Sequence, residues 1–295
     1  MTGTDRDAPP LPLEVVAVWL LFALVTVEIV FTYARIPARE LYHVSGNGLA
    51  GGASRALVFG NFPAALAAIA ILGVIHRRLR RGLRPVAVVA GVLCAAVVWP
   101  GVVSQADLDA KPVNALAATG LLLTLLLTIA VARAGGVAPL GRRRGDTARI
   151  VVAVVLLVLS SPWVAAELGF FLDGVPVLGS VFNTGTLFHD TSGFVPTVHH
   201  GHHHGMDGYL LVVTALLLSR VRLGVAMTGY LALMLCYGLA NLANDLWIEQ
   251  VWKRGWASWK LPSMLEPRLT VAWAVLLAAA AAIWLVAAPR VRDAP

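Results

Sequence analysis

Residues 113–133 read VNALAATGLLLTLLLTIAVAR, twenty residues without a charge closed by Arg133. About twenty apolar residues is the length at which an α-helix crosses roughly 30 Å of hydrocarbon. Hydrocarbon offers no partner to a backbone N–H or C=O, so such a stretch must satisfy its hydrogen bonds within itself, as a helix. The composition extends this reading to the whole chain: 58% of residues are apolar and 13% are charged, with a mean hydropathy of +0.78. An ordinary soluble domain carries about a quarter charged residues, so that class is excluded. A transmembrane β-barrel would show shorter alternating segments, and none is visible.

Working outward from 113–133, apolar blocks recur at 13–34, 57–75, 85–104, 150–172, 207–220, 223–245 and 268–288. The predicted fold class is an all-α integral membrane protein, a polytopic bundle of about eight transmembrane helices. The block at 207–220 is the shortest, about a dozen apolar residues before Arg220 and Arg222. It crosses if those arginines snorkel to the headgroups. The two cysteines, Cys94 and Cys236, lie in apolar blocks without metal or disulfide spacing and read as buried, inert thiols.

The net charge of +7 does not point to nucleic acid, because the basic residues sit in short runs between apolar blocks. His76-Arg77-Arg78-Leu79-Arg80-Arg81 is one such run, and Arg142-Arg143-Arg144 with Arg149 is another. Arg220 with Arg222, and Arg290 with Arg292, complete the set. Threading eight helices puts all four on one side, and the positive-inside rule makes that side cytoplasmic. Both termini are then cytoplasmic, with a short tail at 1–12, one helical domain at 13–288 and a second tail at 289–295. Residues 35–56, 173–206 and 246–267 become the larger non-cytoplasmic loops. The N-terminal stretch lacks a small-residue cleavage site, so the first helix reads as retained. Such a protein belongs in the cell membrane, of the bacterial inner-membrane kind, with the lipid bilayer as its first partner. Within 246–267, Ile248, Trp252, Trp256 and Trp259 recur at helical spacing beside Lys253, Arg254 and Lys260, which predicts an amphipathic interfacial helix.

The most specific feature is His199-His200-Gly201-His202-His203-His204-Gly205-Met206-Asp207, five of the chain's eight histidines within six positions. Imidazole is a favoured ligand of Zn, Cu and Ni. Upstream in the same external segment lie His189 and Asp190, and flanking carboxylates such as Asp190 and Asp207 can ligate or orient an imidazole. His-x-x-His-His can be written twice, at 199/202/203 and 200/203/204. That spacing resembles one histidine box of membrane desaturases and hydroxylases. The resemblance covers this one stretch, the further boxes of those families are absent, and the family is not assigned.

A second feature is a set of acids within or at the outer ends of apolar blocks: Glu28, Glu167 and Asp245, with Asp207 beside them. A carboxyl in hydrocarbon is costly unless paired or protonated, so an intramembrane acid defaults to a functional hypothesis. Glu28, Glu167 and Asp207 are the candidate acid–base or polar-path residues. Third, Arg35, Arg39, His43 and Arg55 flank the glycine-rich segment 46–52, where Gly46 to Arg55 could cradle a lipid headgroup or another anion. Asn61-Phe62-Pro63 is expected to open the second helix.

These residues define three readings. The leading one is an outward-facing transition-metal site used for capture, sensing or passage. The alternative is a membrane-embedded metalloenzyme acting on a lipid or lipid-linked substrate. A scaffold or assembly partner with incidental metal binding is the third.

Overall fold

In a computed structural model, residues 9–35, 45–99, 102, 109–167, 175–177, 187–190, 193–196, 203–265 and 267–287 are described, the backbone alone at 162–167, 187–190, 193–196 and 203–204. The described residues are overwhelmingly helical. Five helices are long and apolar enough to cross a membrane: α1 (Leu13–Arg35), α2 (Gly48–Arg78), α3 (Arg81–Val98), α4 (Asn114–Gly135) and α7 (Val225–Trp252). Between and after them come α5 (Asp146–Glu167), α6 (His203–Leu218) and α8 (Val271–Ala287). Short strands depart from the all-α expectation. β1 (Leu11–Pro12) pairs in parallel with β2 (Val137–Ala138), and β3 (Leu187–Asp190) pairs antiparallel with β4 (Gly193–Pro196) inside the segment expected as a loop.

α2 and α6 lie side by side at the centre. α1 packs on both, α3 and α4 cover α2, α5 and α7 flank α6, and α8 lies outside α7. The arrangement explains the short sixth block. Leu210, Leu211, Val212, Thr214, Ala215 and Leu218 of α6 are all buried, because protein surrounds this helix. It also runs the length of the bundle. At its N-terminal end Gly205 meets Asp245 of α7; just past its C-terminal end Arg220 meets Glu14 of α1 and Asp146 of α5. Sixteen residues rise about 24 Å at 1.5 Å each.

The cluster around Arg220 ties three helices at one end of the bundle. Its Nε and Nη2 donate to the two Asp146 oxygens, each at 3.1 Å, and Nη1 donates to Glu14. Nη2 also reaches Gly141 O at 3.2 Å. Arg149 donates to Ser219 Oγ at 2.9 Å and to Asp146 at 3.2 Å. Asp146 takes a 2.8 Å bond from the Arg143 N–H; that bond, with Arg220 and Arg149, holds its carboxyl below the usual range against partial desolvation. A depressed carboxyl stabilises the fold above its unfolded value near pH 4 and loses that contribution as pH falls through the folded value. Gly224 approaches Arg77, and Trp284 Nε1 donates to Val225 O at 3.0 Å. The runs 76–81, 142–149 and 220–222 therefore share this end with the close of α8. At the opposite end, Ser45 N donates to both Asp109 oxygens and Ala110 N to Ser54 Oγ.

Two helices differ from expectation for identifiable reasons. α2 starts at Gly48, so the glycine-rich segment is helical from that residue on. A Cβ on Gly52 would stand 2.5 Å from Val30 O, and one on Gly51 2.5 Å from Gly46 O: these glycines permit close backbone packing. Asn61-Phe62-Pro63 lies in mid-helix, not at its start, within a π turn at Gly60–Ala64. Proline has no N–H and its ring clashes with the carbonyl four residues earlier, which the wider turn relieves. Asn61 Nδ2 donates to Leu57 O and to Asn114 O, both at 2.9 Å, tying the π turn to the start of α4. In α7, the expected interfacial helix over 246–267 does not form. α7 itself continues through a π turn at Ile248–Trp252. The chain then folds back over it: Tyr237 Oη, Asn244 Nδ2 and Trp247 Nε1 donate to the carbonyls of Leu265, Leu261 and Trp259. Cys94 and Cys236 are free and buried, as expected.

An equally close backbone approach joins α6 and α7. A Cβ on Gly208 would lie 2.5 Å from Gly238 O and 2.9 Å from Leu242 N; one on Gly238 would lie 2.6 Å from Gly208 O. Gly208→Ala is therefore expected to destabilise the protein by about 1–3 kcal/mol, the usual range for overpacking a tight core. Gly82, with nothing near its missing Cβ, supplies the control. Thermal unfolding in detergent should show a lowered Tm for Gly208→Ala and an unchanged one for Gly82→Ala.

Candidate functional site

α6 begins at His203 and His204, so the histidine run leads directly into the helix end that crosses α7. The Gly208–Gly238 contact sets the register between the two helices. It brings Leu242 of α7 against Gly208, and Asp245, one turn further, reaches the head of α6. There the Gly205 N–H donates to Asp245 Oδ2 at 3.0 Å. The first N–H groups of a helix have no intrahelical partner and carry partial positive charge. A carboxylate from a neighbouring helix answers both.

Asp245 is the first member of a buried series along α7. Asp245, Glu249 and Lys253 are 1%, 0% and 6% exposed, spaced four residues apart through the π turn. Lys253 Nζ donates to both Glu249 oxygens at 2.9 and 3.0 Å. Burial pushes the Lys253 ammonium below the ordinary lysine range; Glu249 most strongly, then Asp245, oppose that shift, and Lys260 adds to it. Lys260 itself stands 3.7 Å from the centre of the Trp252 ring. On α6, Asp207 is buried beside Gly208. Asp207, Asp245, Glu249 and Lys253 carry three formal negative charges and one positive.

The structure thus brings Asp207 and Asp245 to the same helix crossing, next to the end of the histidine run. His203 and His204 form the first residues of α6, with backbone alone described. His199, His200 and His202 lie outside the described residues, as do Arg39 and His43. His189 and Asp190 stand on β3, opposite Phe194 and Gly193 of β4. Glu167 closes α5; its side chain, like those of His189 and Asp190, is outside the described residues. Glu28 is half-buried on α1, in the stretch that Gly52 of α2 approaches. Among the described residues, no group of three or more His, Cys, Asp or Glu side chains stands ready to hold a metal ion.

Of the residues expected at an anion site, Arg35 and Arg55 are described. Arg35 is exposed, its guanidinium 4.6 Å from the Phe31 ring centre. Arg55 is 2% exposed and stands 5.9 Å from the Tyr33 ring centre, with its Nε buried and unbonded. Asp109 accepts from the Ser45 N–H.

Glu249 and Lys253 were missed as buried groups. Their signal was present as an acid–acid–base series at 245, 249 and 253, the spacing that puts residues on one helix face. It was masked because Asn241, Asn244 and Asp245 end the apolar block and suggest that the helix ends too. The Glu14–Arg220 contact had no signal, since 206 residues separate the partners.

Two substitution pairs test this geometry. Asp245→Asn keeps an oxygen to accept the Gly205 N–H and should leave the Tm nearly unchanged, whereas Asp245→Ala should cost about 0.5–2 kcal/mol, the loss typical of a cap. Lys253→Met leaves Glu249 buried without its ammonium and should cost about 3–5 kcal/mol, while Glu249→Leu with Lys253→Met should recover much of that loss. Chemical denaturation of the four variants in detergent reads both comparisons. No family model matches this chain, and neither a curated protein nor a solved structure matches it.

Proposed function

We propose that this chain is an eight-span protein of the cell membrane, of the bacterial inner-membrane kind, with both termini cytoplasmic and a transition-metal site on its outer face. The Gly205–Asp245 hydrogen bond is the observation that carries the reading, because it fixes the exit of the histidine run against buried acids. His199, His200, His202, His203 and His204 would supply the imidazoles, with His189 and Asp190 as further ligands from the same external segment. Asp207 and Asp245 would bias the site toward a cation and orient its ligands. Zn, Cu or Ni suits such a donor set. The sidedness is supported by three basic runs gathered at the opposite end of the bundle, which the positive-inside rule assigns to the cytoplasm.

Capture or sensing fits better than passage. Beyond the acids, the seam between α6 and α7 closes on Gly208, Gly238, Leu211 and Leu242, all tightly packed, which leaves little room for an ion along that seam. The metalloenzyme reading is supported by one observation, the buried Arg55 guanidinium on α2, which could hold the headgroup of a lipid or lipid-linked substrate.

Elemental analysis of purified protein tests the metal. One equivalent of Zn, Cu or Ni is expected in the wild type and none in a variant with all five clustered histidines replaced; trace metal in both would sink the proposal. Asp245→Asn should weaken metal binding about tenfold or more, as loss of an orienting partner typically does, while the Tm stays near wild type. Sidedness is read separately by cysteine labelling in a Cys94→Ala, Cys236→Ala background. An impermeant maleimide should label Trp256→Cys on intact cells, and Arg80→Cys only after lysis.

A further inference from the structure

The end of the bundle opposite the histidine run holds a cavity of about 240 Å³ between α5 and α6. Ile150 and Ala153 of α5 form one wall, and Val213, Leu216 and Leu217 of α6 the other. Asp146, Arg149 and Arg220 close it at the mouth of the bundle. The floor is electrically balanced, because the carboxylates of Glu14 and Asp146 answer the guanidiniums of Arg149 and Arg220. The rim is not balanced. Arg142, Arg143, Arg144 and Arg222 lie within four residues of the lining residues Asp146 and Arg220 in the same two chain segments. Among the described residues none of these four side chains forms an ion pair or a side-chain hydrogen bond.

We infer that this cavity is a binding site for a phospholipid with an anionic headgroup, one acyl chain lying against Ile150, Ala153, Val213, Leu216 and Leu217 and the phosphate held by the arginine rim. Three features select that occupant. The walls are apolar, which suits a hydrocarbon chain and not a soluble anion. Ile150 is 63% exposed, so the groove opens on the surface that faces lipid. The charge that no group among the described residues cancels is concentrated at headgroup depth, where basic residues attract anionic lipid. The internal ion pairs give the floor a further role. By holding Arg149 across to Ser219 they keep α5 and α6 at a fixed separation, so the groove exists before a lipid enters it. This inference rests on the membrane placement proposed above, which the cysteine labelling tests independently, and owes nothing to the metal site.

The full-length protein is purified in detergent micelles doped with phosphatidylglycerol or with phosphatidylcholine of the same chain length. Phosphatidylglycerol should raise the Tm by about 4 °C or more, as expected of a ligand that binds the folded state alone, and phosphatidylcholine by less than a quarter of that. Replacing Arg142, Arg143, Arg144 and Arg222 by Gln should abolish the difference between the lipids. Ala153→Phe, which fills the groove, should reduce retention of a bound phosphatidylglycerol in native mass spectrometry at least fivefold. An equal rise with both lipids, or a phosphatidylglycerol effect that survives the four replacements, would overturn the inference. Should Ala153→Phe fail to fold, the arginine variant decides alone, since three of its four positions are exposed and the fourth is half-buried.

Discussion

The approach of α6 to α7 at Gly208 and Gly238 is the constraint on which the rest of this structure depends. Apolar side chains gain little by leaving lipid for one another, so helices in a membrane associate through close packing and through polar contacts that lipid cannot offer. Two glycines facing each other remove the side chains that would hold the backbones apart. The seam then becomes tight enough to set register, and register decides which residue of α7 stands over the head of α6. That residue is Asp245. A separation greater by the width of a methyl group would leave the Gly205 N–H out of its reach.

Buried charge is handled differently at the two ends of the bundle. At one end two carboxylates and two guanidiniums interlock across α1, α5 and α6, with backbone carbonyls taking the remaining donors. The result is locally neutral and mechanical: it ties together helices that are distant in sequence. A buried network of this kind is weak evidence for added stability but strongly penalises loss of any single partner. At the other end the carboxylates of Asp207, Asp245 and Glu249 are buried, as are the Lys253 ammonium and the Arg55 guanidinium. The former end is suited to holding distant helices together.

Asp245 shows how position in the fold changes the meaning of a residue. In sequence it looks like the end of an apolar block, where the chain returns to water. In the bundle it is buried, and its helix continues for two more turns because Glu249 and Lys253 satisfy one another and the returning segment 257–265 covers them. The π turn at Ile248–Trp252 allows that continuation, as the one at Gly60–Ala64 lets α2 pass through Pro63. At Gly60–Ala64, Asn61 Nδ2 supplies a partner for the Leu57 carbonyl.

The sequence by itself determined that this chain is a set of apolar helices, and very nearly where they lie, because the bilayer is a solvent that permits few alternatives. Hydrophobic length, the impossibility of unpaired backbone in lipid and the placement of arginine are local properties, readable residue by residue. It also marked His199–His204 and Asp245 as neighbouring polar features. Only the tertiary structure decided that Asp245 caps α6, that Glu249 and Lys253 are buried with it, that the shortest apolar block lies at the centre, and that Arg220 meets Glu14. Each of those depends on how two or three helices cross, and the crossing is set by glycine contacts between residues far apart in the chain.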